Sequence, residues 1–337
     1  MRTPRPLENA SLLPVLARFP GRKVLVVGDL VADQYIYGET DRISREAPVA
    51  IVRYESGEVK LGAAGNAAAN LKALGAKVTL VGSLGRDELG TQVRALCREQ
   101  GIRLATPKAV RVPTESKTRI LAGGLNTRRQ QMLRLDRGNQ GKLPPELEAE
   151  LAKLVGSLAQ DAEAMLVSDY GAGVLCEKVI AEVQAAARAG MPVVADSRYN
   201  LAAFDGATVL KPNEPELGAL TGLRTDDEEQ LVRAIKRAQK LLPNRAWVVT
   251  RGRNGIAVAE GSHLQLIPAH GGREIVDVTG AGDTVGAALV LAMAAGANVE
   301  TAARVANVAG ALKVQKSGTA TVSVQELAAE IARAEAR

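Results

Sequence analysis

Residues Lys23–Gly28 read Lys-Val-Leu-Val-Val-Gly, a continuous apolar run closed by glycine. An uninterrupted run of this length marks a strand buried on both faces, which a parallel sheet covered by helices provides. The pattern returns at Val78–Gly82, Ala164–Ser168, Pro192–Asp196, Thr208–Leu210 and Ala246–Thr250. Between these runs, apolar residues recur at helical spacing over Ala64–Leu74, Leu89–Gln100, Pro145–Leu158, Lys178–Ala189 and Glu228–Leu241. Such alternation predicts βαβ units, and so an α/β fold with a central, mostly parallel sheet and helices on both faces. Two stretches, Tyr35–Tyr54 and Arg111–Asp136, carry strand-forming residues and few helix signals. They predict a small second sheet inserted into the first. No Gly/Ser-rich linker divides the chain, so residues 1–337 are expected to form one domain with insertions near 35–54 and 111–136.

The balance of residues narrows the partners. A net charge of +6 suits nucleic acid, anionic lipid or a phosphorylated small molecule, and equally an ordinary solvated basic surface. No run of five basic residues occurs and aromatics are only 2%, which disfavours single-stranded nucleic acid because bases there stack on aromatic faces. The long uncharged stretch Thr284–Val299 is short for a membrane span and rich in Ala and Gly, so it reads as a buried helix. No nucleic acid and no membrane are expected as partners. Cys97 and Cys176 lie far apart with only His263 and His270 to accompany them, which disfavours zinc and fits a reducing cytoplasm.

The segment Asp277-Val278-Thr279-Gly280-Ala281-Gly282-Asp283 runs directly into a helix of small residues. Small residues let a backbone approach a ligand closely, and the free N–H groups of a helix start favour an anion there. Gly282 is expected to need unusual dihedrals. A carboxylate beside a phosphoryl group can take the proton of an attacking hydroxyl, so Asp283 is a candidate base, or else only a helix-start residue favoured by the dipole. Gly62-Ala63-Ala64-Gly65-Asn66 opens the helix reaching Leu74 and is either a tight turn or a place where Asn66 holds sugar hydroxyls. Asp29 follows the first strand, where open α/β sheets bind ligands, and could accept two hydroxyls. Neither GxxxxGK[ST] nor a GxGxxG after the first strand occurs, so a Walker-type or dinucleotide site is not supported.

These segments resemble the two signatures of the PfkB, or ribokinase-like, sugar kinases: Gly62, Asn66, Gly75 and Gly85, then Asp277 through Asp283 with its Ala-rich helix. Asn213-Glu214-Pro215-Glu216, Thr250-Arg251-Gly252 with Gly255, and Asn307 before Gly318 follow in the same order. The resemblance covers Lys23 to about Ser323 and implies an ATP-dependent kinase of ribokinase-like fold whose small sheet is a lid over the sugar. It implies Asp283 as base and the amides of Gly280, Ala281 and Gly282 as anion hole. It places Asp29, Gly62 and Asn66 on the sugar, Asn213 and Glu216 on Mg²⁺ through water, and Thr250, Gly252, Gly255 and Asn307 on the nucleotide. Asp277 and Thr279 match positions that help hold a monovalent cation such as K⁺, although Asp277 can equally cap the anion-hole turn. Lids in such kinases pair, which implies a homodimer.

Within the family, Gly38–Val49, Arg128–Asp136, Ser168–Gly173 and Ala306–Ser323 are most similar to the branch acting on heptose 7-phosphate. Bifunctional members of that branch add a nucleotidyltransferase domain with an HxGH-type site. His263 and His270 are not in that setting, so a stand-alone kinase is expected. Ala172 stands where that branch would have Lys, and Asp196-Ser197-Arg198 where it would have Asp-Pro-Lys. A phosphorylated sugar would need a second cationic cradle, for which Arg42, Lys117, Arg134 and Arg198 are candidates.

Overall fold

The computed structural model describes residues 11–108, 112–123, 129–139, 142–243, 246–271 and 275–336. Arg111 and residues 124–128, which belong to the expected second insertion, lie outside the described residues. Thirteen strands are present among them: β1 Lys23–Gly28, β2 Leu30–Ile43, β3 Ala50–Ala63, β4 Lys77–Val81, β5 Arg103–Ala105, β6 Glu115–Gly123, β7 Gln130–Arg137, β8 Ala164–Asp169, β9 Val193–Ser197, β10 Val209–Leu210, β11 Ala246–Thr250, β12 Ile256–Glu260 and β13 His263–Ile267.

Nine of them form one sheet in the order β13-β12-β11-β10-β9-β8-β1-β4-β5. All neighbours from β11 to β5 run parallel, and β12 and β13 close one edge antiparallel. The expected ribokinase-like α/β architecture is therefore present. Because β1 sends its crossover to β4 while β8 pairs on its other side, the chain reverses direction at β1 and β8, and open α/β sheets bind ligands at such a point. The β1 sequence predicts this central place: every residue after Lys23 is buried.

Helices Ala64–Ala73, Glu88–Glu99, Ala281–Ala294 and Val299–Lys313 cover one face, and Pro145–Ala159, Glu177–Arg188 and Glu228–Leu241 the other. Helix Ala281–Ala294 is buried from Asp283 to Met293. Its small side chains permit that close approach: a Cβ on Gly310 of the next helix would come within 2.9 Å of Val285.

The remaining strands form a second sheet, β3-β2-β6-β7, in which β2 and β6 run parallel and both outer pairs antiparallel. This is the predicted inserted sheet, and it reaches further than residues 35–54. β2 starts one residue after β1, and β3 runs into the helix at Ala64. The extra length is the buried base of the sheet, including Leu30, Val31, Ala32 and Leu61.

Candidate active site

The carboxyl ends of β1, β8, β9, β10 and β11 face one crevice. Asp283 enters it from the first turn of helix Ala281–Ala294 and is buried to 5% exposure. Its Oδ2 accepts a 2.7 Å hydrogen bond from Asn66 Nδ2, and its Oδ1 accepts one of 2.9 Å from the Tyr170 hydroxyl. Burial pushes its carboxyl up to about 6, opposed by the Asn66 bond and assisted by the charge of Asp196. The Tyr170 phenol is driven far upward by the Asp283 charge and by burial, so it stays protonated and donates.

Asn66 is held in turn. Asn70 Nδ2 donates to the Asn66 carbonyl at 2.9 Å, and the Thr284 hydroxyl donates to Asn70 Oδ1 at 2.9 Å. Helices Ala64–Ala73 and Ala281–Ala294 are thus joined by a buried polar chain, satisfied at each step, that fixes the carboxylate between them.

The two glycines of the turn have different reasons to be glycine. Gly280 sits at φ +75°, and a Cβ there would stand 2.5 Å from Asn66 Nδ2. Gly282, expected to carry the unusual dihedrals, is in ordinary helix, because the reversal into the helix is completed at Gly280. A Cβ on Gly282 would meet only Lys211 Nζ, at 3.9 Å.

Lys211, passed over in the sequence, is 3% exposed and pairs with Asp196 at 2.8 Å. It follows β10 directly, and its neighbour Asn213 forms a reciprocal cap with Glu216: Glu216 N donates to Asn213 Oδ1 at 2.8 Å and Asn213 N to Glu216 Oε2 at 2.9 Å. Burial raises the Glu216 carboxyl.

Asp29 is fully buried and accepts N–H bonds from Tyr170, Ala172 and Val174 at 2.8, 3.0 and 3.1 Å. It stitches the loop after β8 to the end of β1. A carboxylate has about four acceptor positions, so one is left for a ligand hydroxyl where two were expected. Burial pushes this carboxyl up to about 6 against those bonds. Gly62 lies in β3, where a Cβ would collide with Asp33 Oδ2 at 2.5 Å.

Beside the Gly280 turn opens a cavity of about 1230 Å³. Asn213, Thr250, Gly252, Gly255 and Asn307 line it together with Ala281 and Gly282, so residues spread over nearly a hundred positions meet on one wall. Ile275, Val278, Val285 and Val314 give it an apolar side, with Ile275 and Val278 exposed at the rim. Glu216 does not line it. The Asn307 amide donates to the Pro268 carbonyl at 2.7 Å, and Gly255, at φ +90°, lies where a Cβ would strike the Ile267 carbonyl.

Asp277 caps the turn: its Oδ1 accepts Thr279 N at 2.8 Å and its Oδ2 accepts Gly318 N at 2.7 Å. Burial works against its charge, yet these bonds and the nearby Lys313 hold its carboxyl below the usual range. The basic candidates are scattered. Lys117 Nζ lies 5.2 Å from the Tyr170 ring centroid, and Arg198 stands 5.6 Å from that of Tyr199. Arg134 pairs with Asp136 at 2.8 Å on the exposed β7, and Arg42 is exposed at the far end of β2. Arg119, not anticipated, holds Asp33 at 2.6 Å over the same sheet face as Lys117.

Comparison with known proteins agrees with this architecture. Over 327 residues the chain is 38% identical to the bifunctional protein HldE of Geobacter sulfurreducens, covering 95% of this chain and 65% of that protein. The chain therefore spans just under two thirds of the length of that relative. Its fold is similar to Arabidopsis thaliana ribokinase, solved with ribose and ATP, at a TM-score of 0.71 and 23% identity over 93% of this chain and 99% of the other. It is also similar to Escherichia coli phosphofructokinase-2, solved with potassium, at a TM-score of 0.75 and 19% identity over 94% of this chain and 100% of the other. The model of the pfkB family of carbohydrate kinases matches residues 22–326. The chain, with its buried carboxylate at the head of a helix beside a glycine turn, belongs to the pfkB family of carbohydrate kinases.

Proposed function

We propose that this chain transfers the γ-phosphoryl group of ATP to O1 of D-glycero-D-manno-heptose 7-phosphate, giving the 1,7-bisphosphate. One observation carries the kinase chemistry: the Asp283 carboxylate, aimed by Asn66 and Tyr170, adjoins the turn whose Ala281 and Gly282 line the large cavity. The heptose assignment rests on the stretches around Gly38–Val49 and Ala306–Ser323 and on the likeness to HldE proteins.

In this reading ATP lies in the cavity, its ring against Ile275, Val278 and Val314, near Thr250, Gly252, Gly255 and Asn307. Its phosphates reach the Gly280–Gly282 amides and the Lys211 ammonium. The sugar lies under the lid, against Asn66, Gly62 and the remaining acceptor position of Asp29. Asp283 takes the proton of the O1 hydroxyl as O1 bonds to the γ-phosphorus and the bond to ADP breaks, which leaves the proton on Asp283 and the charge on ADP. Amides and an ammonium set in advance around the transferring group stabilise the charge that develops there. The lid excludes water, so ATP is not hydrolysed idly.

Mg²⁺ suits the oxygen donors of Asn213 and Glu216, which would hold it through water; the Glu216 carboxylate gives one oxygen to its cap and keeps the other. Held there, Mg²⁺ would supply positive charge to offset that of the ATP phosphates. Of the candidates Lys117, Arg198, Arg134 and Arg42, at least one would pair with the 7-phosphate; Lys117, on the lid face that meets Tyr170, is the first to test, since Arg134 is engaged with Asp136 and Arg42 lies at the far end of β2. Two copies pair through their lids, and the protein works in the cytoplasm.

The test is ATP turnover by the purified chain with heptose 7-phosphate, ribose and fructose 6-phosphate. A clear preference for the heptose supports the proposal. Preference for either other sugar reassigns the substrate, and turnover with none overturns the kinase chemistry. For the phosphate cradle, Lys117→Ala is expected to raise KM for the sugar phosphate by roughly 10-fold, the worth of one charge-assisted contact, with KM for ATP unchanged.

A further inference from the structure

Lys313, the last residue of helix Val299–Lys313, is completely buried. Lysine is almost never so placed unless something pairs with its charge, because an isolated ammonium loses its hydration. Its surroundings supply the pairing. Nζ donates to the Lys316 carbonyl at 3.2 Å. The turn 313–318 is zipped to the segment that leads into the anion hole: Val276 N and Asp277 N both donate to the Val314 carbonyl, at 2.8 and 3.1 Å, and Gly318 N donates to Asp277 Oδ2. One buried positive charge therefore sits where the turn and the loop meet, three residues before Gly280.

A resident K⁺ held by Asp277 and Thr279 does not fit this arrangement. Each Asp277 oxygen already accepts a backbone N–H, and the nearby Lys316 carbonyl accepts the lysine ammonium. K⁺ needs several oxygens turned toward one point with no competing cation, whereas here the Lys313 ammonium already sits on the Lys316 carbonyl and each Asp277 oxygen has given one of its two acceptor positions to a backbone N–H. An ammonium carries the same single charge on a tether.

We propose that Lys313 is a built-in cation that replaces a free monovalent ion, holding the Asp277–Gly280 loop in the shape that presents the anion hole, so that this kinase works without K⁺. The mutual influence of the charges agrees with this. Burial and the Lys316 charge lower the Lys313 ammonium on balance, Asp277 and Asp283 oppose them, and Lys313 helps keep Asp277 ionised. Lys313 is thus a positioning residue, acting on the phosphoryl group through the loop. The inference rests on the kinase reading above.

The experiment compares the parent with Lys313→Met and Lys313→Gln, in potassium chloride and in tetramethylammonium chloride at matched ionic strength. Methionine keeps the length of the side chain without charge, and glutamine keeps a donor for the Lys316 carbonyl without charge. Three quantities are read: kcat with the accepted sugar phosphate, ADP affinity by calorimetry, and Tm. The parent is expected to show the same kcat and ADP affinity in both salts. Each variant is expected to lose about 10-fold or more in kcat in tetramethylammonium, the scale of removing one preorganised electrostatic contact, with KM for the sugar unchanged. Potassium or ammonium ions should restore a large part of that loss. A parent activated by K⁺, or variants with parental kcat in both salts, overturns the proposal; a fall in Tm alone would leave Lys313 a helix cap and overturn it too. If methionine prevents folding, the glutamine variant and the parent's own salt response decide. Absence of any turnover refutes the kinase reading, and ADP affinity in the two salts still tests Lys313 separately.

Discussion

Burial makes the charged form of Asp283 costly, and the same cost suits the carboxylate to the proposed role of proton acceptor. Its carboxyl, moved up to about 6 chiefly by burial, binds a proton more readily in the fold than in the unfolded chain, where 3.8 applies. Its contribution to stability is therefore greatest below about pH 3.8 and falls as pH rises through about 6. Catalysis needs the opposite state. With the nucleotide and sugar saturating, kcat should decline as pH falls through about 6, a profile that steady-state rates across pH 5 to 8 would reveal. Asp283→Asn keeps the side chain's size without its basicity, so kcat should fall about 100-fold or more with ADP affinity little changed. Its Tm at pH 8 should match or exceed the parent's, with the advantage vanishing toward pH 4. Near-parental turnover would remove Asp283 from the base position. Asp283 and Asn66 were legible because each stands in a glycine-marked segment at a helix start. Tyr170 and Lys211 were not, since a tyrosine after β8 and a lysine after β10 acquire a role only when strand order brings both beside Asp283.

At the scale of elements, the parallel strands and the helices between them were readable because burial on both faces leaves unbroken apolar runs. The pair β12 and β13 was missed for the complementary reason. β13 alternates at the sheet edge, and β12 is an apolar run of only four residues, half of them alanine; the signal was the two-residue turn Gly261-Ser262, with Gly261 at φ +57° and Glu260 opposite His263. The anion-hole turn separates two roles that a row of glycines conceals. Gly280→Ala puts a Cβ at a left-handed residue and against Asn66, so it should destabilise the fold by about 1–3 kcal/mol and disturb the amide that orients Asp283. At Gly282 a Cβ meets only the tip of Lys211 in ordinary contact, so Gly282→Val should fold with a Tm close to the parent's while ATP turnover is abolished by a branched side chain where the phosphates are proposed to lie. Thermal melts beside rate measurements separate the two; equal stability losses would show that the turn is not divided in this way.

Across the whole molecule, the lid sheet is amphipathic, and both faces need something to cover them. Asp33, Tyr35, Lys117 and Arg119 alternate onto the face that meets Tyr170. The other face carries a row set by register, Ile36 opposite Ile120 and Ile120 opposite Leu133, with Leu135 beyond it. Leu133 and Leu135 are 57% and 61% exposed, with Ile43 and Val49 at 62% and 56% toward the far end of the sheet. A monomer gains nothing by leaving these aliphatics in water, and although Gln34 and Thr118 interrupt the row, aliphatics grouped on one face are what an association surface presents. Only the strand-forming residues of the two insertions are readable along the chain; which residues share a face depends on the parallel pairing of β2 with β6, two segments some eighty positions apart. If a second copy covers this face, the chain should sediment as a dimer at micromolar concentration, and its Tm should rise with concentration. Replacing Leu133 and Leu135 together by Glu removes about 3 kcal/mol or more of apolar burial and sets like charges against each other, which corresponds to roughly a 100-fold or greater rise in Kd. The double variant should sediment as a monomer with a concentration-independent Tm. Because the opposite face of the same sheet is the one proposed to close over the sugar, KM for the sugar should rise in the variant while ADP affinity, with the nucleotide proposed on the far side of Asp283, stays at the parental value. A parent that remains monomeric at high concentration would sink the lid-paired dimer.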